Sequence, residues 1–140
     1  MSSPKIQFID ANVIMYSAGG PHSLRNSCKR VLEKIRSGKI SVVTNTEVLQ
    51  EILHRYFSIR KPTLGEMVYQ SMVQVCVEVF PVTRAETDKA LDILKTYEVT
   101  SRDAIHAATM INNGVKEILS TDPHFDLIRE IKRVDLSSMK

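Results

Sequence analysis

The sequence predicts an α/β fold with a mainly parallel central sheet and helices on both faces. Three observations predict it. Short runs rich in branched aliphatic residues alternate with longer segments of helical spacing. Turn and capping residues punctuate the boundaries between them. The 140 residues contain no repeat, linker or low-complexity tract, and 43% hydrophobic with 25% charged residues excludes a disordered chain, so one domain over 1–140 is expected.

Lys5 to Ile9 is the first predicted strand and ends at Asp10. Leu24 to Arg36 is helical, with Val31, Leu32 and Ile35 on its apolar face and Gly38 as its stop. Ile40 to Val43 is the second strand. Thr44 to Phe57 returns to helical spacing, Pro62 interrupts it, and a further helix runs from Leu64 towards Val75. Val77 to Val82 is the third strand. Thr83 and Glu86 have capping-box spacing and open a helix to about Tyr97. Thr100 and Asp103 open another through Ile111, ended by Asn112, Asn113 and Gly114. Glu117 to Leu119 is the fourth strand, and Ile131 to Val134 a fifth.

Other features bound the function. No apolar run is long enough to span a bilayer, and the start MSSPKIQFID lacks the apolar core of a secretory signal, so no membrane association and a cytoplasmic location are expected. Cys28 and Cys76 form neither a disulfide framework nor metal-ligand spacing, and the four histidines form no zinc signature. Both thiols are expected to be reduced and buried.

The informative feature is where a few carboxylates fall. Ligands of an open parallel sheet bind at the carboxyl ends of its strands. Asp10 directly follows the first strand and Asp122 lies just past the fourth. In the helix from Thr44, about 100° per residue centres the apolar stripe near Ile52 and Tyr56. Glu51 then lies beside the stripe and Glu47 on the solvent side. In the later helix Asp103 borders the buried face set by Ala104, Ala107, Ala108 and Ile111, whereas His106 is expected to point into solvent. Each acid alone is as well explained by a turn, a cap or an i,i+4 pair. Together all four fit one end of one sheet. Four adjacent carboxylates stay ionised only if cations compensate them. With no Cys or His cluster beside them, the fitting ion is a hard divalent one, Mg²⁺ or Mn²⁺, singly or as a pair. Such an ion polarises a phosphoryl oxygen and activates a water, chemistry suited to phosphodiester hydrolysis.

These residues resemble the PIN domain family, in particular its VapC-type toxin ribonucleases and archaeal relatives. FIDANVIMY resembles the opening strand and Asp-x-Asn motif, giving Asp10 and Asn12. VLQEIL resembles the helix with the family's Glu, giving Glu51. SRDAIHAATM resembles the Asp-Ala helix, giving Asp103, and LSTDPHFD the last motif, giving Ser120, Asp122 and Phe125. The motifs span nearly the whole chain in the family's order. The resemblance implies a three-layer α/β/α fold, Mg²⁺- or Mn²⁺-dependent ribonuclease activity, a homodimer and, for many members, a cognate antitoxin. It makes Asp10, Glu51, Asp103 and Asp122 the catalytic, metal-binding acids, with Asn12 and Ser120 holding a carboxylate or a water. Asp126 is an optional supporting residue that fits a surface salt bridge equally well. The implied products carry 5′-phosphate and 3′-hydroxyl ends.

For RNA contacts, Arg55, Arg60 and Lys61 are the preferred basic residues, with Tyr56 and Phe57 between them as core or dimer contacts; Arg102 is a further candidate. Three alternatives stay open: a phosphatase of the haloacid-dehalogenase type, which would want a second Asp where Asn12 stands; a PIN-like module that binds RNA or protein without cutting; and a housekeeping RNA-processing nuclease. The formal charge is +3; with four acids neutralised, 12 remain against 19 basic residues, a net +7 suited to a polyanion.

Overall fold

The computed structural model describes residues 5–138. Strands β1 (Ile6–Ile9), β2 (Ser41–Asn45), β3 (Cys76–Phe80), β4 (Glu117–Leu119) and β5 (Lys132–Val134) form one sheet in the order β3-β2-β1-β4-β5. Every pairing is parallel. Helices α1 (Ala11–Ala18), α2 (Arg25–Arg36), α3 (Thr46–Ser58), α4 (Pro62–Val75), α5 (Arg84–Thr96) and α6 (Ser101–Asn112) connect them. The chain steps from β1 to β2 to β3 in one direction, then returns past β1 to β4. Right-handed crossovers therefore put α1–α4 on one face and α5 and α6 on the other. Packing agrees: α1 contacts α2, α3 and α4, while α5 lies along α6. This is the α/β architecture expected from the sequence, with an entirely parallel sheet.

Central β1 is buried on both faces, as a parallel strand between two helical layers must be. Phe8, Ile118, Leu119, Phe125 and Met110 are fully buried and form the middle of the core. The Thr83–Glu86 box forms as expected, the Thr83 N–H donating to Glu86 Oε1 at 2.8 Å. Cys28 is buried and Cys76 half-buried on edge strand β3. Burial pushes the first thiol up to about 11 and the second to about 12, so neither is a nucleophile at neutral pH.

Two local features differ from the sequence reading. Residues 11–18, left unassigned there, form α1, which Asp10 caps from an extended backbone by accepting the Ala11 N–H. The second strand also runs further, to Asn45, so α3 starts at Thr46 rather than Thr44. Thr44 Oγ1 donates to the Ile9 carbonyl at 3.0 Å, and Asn45 caps α3. No Gly or Pro marks this strand-to-helix switch, which is why periodicity absorbed both residues into the helix.

Helices α2, α3 and α6 end in the same pattern. The residue after the cap adopts positive φ, and the next N–H reaches back five residues: Lys39 to Lys34, Lys61 to Tyr56 and Val115 to Met110. Glycine supplies the left-handed residue at 38 and 114, but in α3 it is Arg60, at φ 60°. Gly65 on α4 is needed for a different reason. A Cβ there would lie 2.7 Å from Tyr56 Cβ, so the α3–α4 approach depends on its absence. Gly65→Ala is expected to destabilise by roughly 1–3 kcal/mol, since two backbones must part to admit one methyl. A urea titration measures this.

Candidate active site

The direction of the chain reverses at β1: β2 lies on one side of it and β4 on the other. The carboxyl ends of β1 and β4 therefore flank the crevice where open α/β sheets bind ligands. Asp10 leaves β1 there, and Ser120, Thr121 and Asp122 leave β4. α3 brings Glu51 from the end of β2, and α6 brings Asp103 from its first turn. Asp10, Glu51, Asp103 and Asp122 line one cleft of about 470 Å³, as the sequence predicts.

Asp10 is the best-anchored of the four. Its Oδ1 accepts the Ala11 N–H at 2.8 Å, and its Oδ2 accepts from Ser120 Oγ at 2.8 Å and Asn12 Nδ2 at 3.2 Å. Asn12 Oδ1 takes the Thr121 N–H at 3.2 Å, and Ser120 Oγ takes the Asp122 N–H at 3.0 Å. Asn12 and Ser120 thus tie the β1 and β4 ends together around one carboxylate. Asp122 Oδ1 caps the following turn, Pro123–Leu127, by accepting the His124 N–H at 2.9 Å.

Electrostatics follow from this crowding. Burial raises the Asp103 carboxyl to about 6, reinforced by Asp122 and Asp10. Burial also raises Asp10, opposed chiefly by His106 and helped by Glu51. Glu51 Oε1 is buried and makes no hydrogen bond. Arg102 reaches Glu47 and Glu51 only at 3.6 and 3.7 Å. A crowded oxygen donor set with an orphaned buried carboxylate oxygen fits a hard divalent cation, whose charge would favour the ionised acids.

Several residues sit elsewhere than the sequence reading placed them. Glu47 is not on the solvent side: it lines the same cleft and shares Arg102 with Glu51. α6 touches α3, and its Arg102 faces Glu47, a tertiary contact that a single-helix wheel does not contain. His106, expected to be exposed, is 1% exposed, with Nε2 3.8 Å from both Asp10 Oδ1 and Glu51 Oε1. α6 is covered by the sheet and by the active-site acids at once, so its buried arc is wider than the alanine stripe implied. Burial works against a charge on His106, but Glu51 and Asp10 outweigh it and raise its pKa. Asp126 does not line the cleft; it takes two bonds from Arg133, at 3.1 and 3.0 Å. Tyr56 is in the core, whereas Phe57 is exposed. Arg55 and Lys61 line an adjoining groove of about 500 Å³ that shares Asn12 with the acidic cleft. Tyr16 and His22 stack in its wall with centroids 4.4 Å apart.

Comparison with known proteins places this arrangement. The PIN domain profile matches residues 8–131. The VapC ribonuclease Mb1869c of Mycobacterium bovis is 36% identical over 127 residues, 90% of this chain and 97% of that protein. Ribonuclease VapC23 of Mycobacterium tuberculosis is 31% identical over 117 residues, covering 82% and 91%. Among solved structures, VapC20 of M. tuberculosis, a Sarcin-Ricin loop cleaving toxin, superposes with a TM-score of 0.72 at 18% identity over 87% of this chain and 93% of that one. DNA-bound VapBC from Salmonella typhimurium gives 0.73 at 14% identity, over 95% and 98%. At such identities the two structures speak to the fold alone; the profile and the curated relatives decide the family, and set aside the phosphatase alternative. The chain belongs to the PIN domain family.

Proposed function

We propose that this protein is a Mg²⁺- or Mn²⁺-dependent ribonuclease that hydrolyses RNA phosphodiester bonds. The observation that carries the reading is the meeting of Asp10, Glu51, Asp103 and Asp122 in one cleft at the switch point of the sheet. The ribonuclease names of the relatives support it. A divalent cation bound by these acids would polarise the scissile phosphate and make an attacking water more acidic. The chain's own part is positional. Ser120, Asn12 and the Ala11 N–H fix both oxygens of Asp10 before any ligand arrives. Arg102, half exposed at the cleft mouth, offers a guanidinium to an incoming phosphate. No protein nucleophile is needed, and the family resemblance implies products with 5′-phosphate and 3′-hydroxyl ends. End-labelling and ligation of the products test this; 2′,3′-cyclic phosphate ends would contradict it.

The groove beside the cleft suits the rest of the strand. Arg55 and Lys61 give it positive charge, and the Tyr16–His22 pair offers a ring surface for stacking. Arg60 is exposed and stands outside the groove lining, between Ile59 and Lys61, which belong to it. A non-glycine residue at positive φ is strained by roughly 1 kcal/mol, where glycine would serve the helix end. Retaining arginine at that cost fits a role in RNA contact. Arg60→Gly is expected to stabilise the protein by about 0.5–1 kcal/mol while weakening RNA binding and flattening its salt dependence by roughly 0.7 in log–log slope. Thermal melts and titrations at several salt concentrations check both halves.

The biological setting proposed is a toxin with a cognate antitoxin. The toxin–antitoxin complexes among the structural neighbours support it. Expression alone should then arrest growth, and a small protein encoded alongside should relieve the arrest; growth unaffected by the active enzyme would favour an RNA-processing role. A homodimer fits the exposed Leu91 and Leu94 on α5, and light scattering tests it. Among the described residues no helix is long and apolar enough to cross a membrane.

A further inference from the structure

Two histidines lie against the acids and are not used by the ribonuclease reading: exposed His124, 2.7 Å from Asp122, and fully buried His106. The His106 ring is buried between Phe8 and Phe125, at centroid distances of 5.5 and 6.5 Å. Its Nε2 makes no hydrogen bond, and neither does the buried Glu51 Oε1 that it faces. The 3.8 Å from Nε2 to Asp10 and to Glu51 is too long for a hydrogen bond. It is shorter than twice a metal–nitrogen bond of about 2.1 Å, so one ion could touch all three groups. Two roles therefore compete. His106 is either a nitrogen ligand or an N–H donor to the two carboxylates.

Asn45 decides between them. Its Oδ1 accepts the Val48 N–H at 2.9 Å as the cap of α3, which fixes the amide's orientation, because the flipped amide would turn an NH₂ on an N–H. Its Nδ2 therefore faces Thr109 Oγ1 at 2.9 Å and His106 Nδ1 at 3.1 Å. The Thr109 hydroxyl proton is given to the Ile105 carbonyl at 2.9 Å, so its oxygen is free to accept from Asn45. His106 Nδ1 must accept as well. A neutral ring that accepts at Nδ1 carries its proton on Nε2, and an imidazolium carries one there too. In either charge state the atom facing the acids has a hydrogen and no lone pair.

The structure assigns His106 as a positioning residue that presents its Nε2–H to Asp10 and Glu51 and is not itself a ligand of the cation, with Asn45 setting the tautomer. The consequence for ion choice rests on the proposed function; the tautomer does not. Withholding the His106 nitrogen from Asp10 and Glu51 favours Mg²⁺ and Mn²⁺ there over Zn²⁺, which that imidazole would draw in. Asn45→Asp is the switch: aspartate accepts both the Val48 N–H and an Nδ1–H, which frees the Nε2 lone pair in the carboxylate–histidine–metal pattern.

The test has a metal-free and a metal-loaded arm. In EDTA, long-range ¹H–¹⁵N correlation of the imidazole is expected to show a protonated Nε2; an unprotonated Nε2 overturns the assignment. With Mn²⁺ added, pulsed electron paramagnetic resonance of a His124→Ala background, which removes the imidazole beside Asp122, is expected to show no directly bound ¹⁴N, and a bound nitrogen would overturn the assignment. In Asn45→Asp on that background the nitrogen coupling should appear and Zn²⁺ affinity rise about tenfold or more; unchanged Zn²⁺ affinity would contradict the part given to Asn45. The metal-free arm involves no RNA. A protonated Nε2 in a protein that never cuts RNA would sink the ribonuclease reading and leave the tautomer standing.

Discussion

Asp10→Asn is expected to lower RNA cleavage by roughly 10³-fold or more, equivalent to about 4 kcal/mol of transition-state stabilisation. The fold should survive. The carboxamide keeps an oxygen for the Ala11 N–H that starts α1, and its size matches the space beside Ser120. One hydrogen bond, from Ser120 or Asn12, is mismatched, against which the removal of a buried charge beside Glu51 is a gain. Stability in EDTA should stay within about 1 kcal/mol of the parent. Cleavage assays on material that melts normally separate the lost function from a lost fold.

Asp103→Asn should do more: it should remove activity and raise the stability of the metal-free protein. Burial and the Asp122 and Asp10 carboxylates lift Asp103 to about 6, from an ordinary value of 3.8. The folded protein therefore binds a proton there more readily than the unfolded chain, and folding takes up a proton between those values. The resulting destabilisation is fully present above pH about 6, shrinks as pH falls through that value, and is gone below 3.8. The Asp103 contribution thus favours the fold more at pH 5 than at pH 7.5. Allowing for solvent screening at the cleft mouth, it amounts to roughly 1–2 kcal/mol. Asp103→Asn should gain that amount at pH 7.5, about 3–8 °C in melting temperature, and lose the pH dependence that Asp103 supplies. Saturating Mn²⁺ should stabilise the wild type by about 2.7 kcal/mol at a hundred times its Kd, and the variant far less. Melts of both proteins at pH 5 and 7.5, with and without Mn²⁺, decide this. A variant no more stable than the parent at pH 7.5 would mean the acids do not strain the empty fold.

The four acids were legible in the sequence because each follows a strand end or borders an apolar stripe, and because four short motifs fall in one order. Their convergence on one cleft came from topology, which the alternation of strands and helices could suggest but not order. Asp10 was read as a strand terminus, whereas the same side chain also starts α1. That double duty leaves no separate signal, since an N-cap and a catalytic acid are the same residue type. His106 was misplaced for a related reason. A helix seated against both the sheet and a charged cleft buries polar residues on one flank, and hydrophobic periodicity counts only apolar ones. Glu47 and Glu51, one turn apart on α3, both line the cleft and both face Arg102. Asn45, which orients His106, lay inside what read as a continuous helix, so its cap could not be seen.

The most direct test strips the purified protein with EDTA, then adds back Mg²⁺ or Mn²⁺, alongside Asp10→Asn prepared in the same way. The expected result is that chelation stops RNA cutting by the wild type, that either ion restores it, and that neither restores it to the variant. Undiminished cutting in EDTA, or cutting by Asp10→Asn at the wild-type rate, would contradict the assignment of these acids as a divalent-cation ribonuclease site.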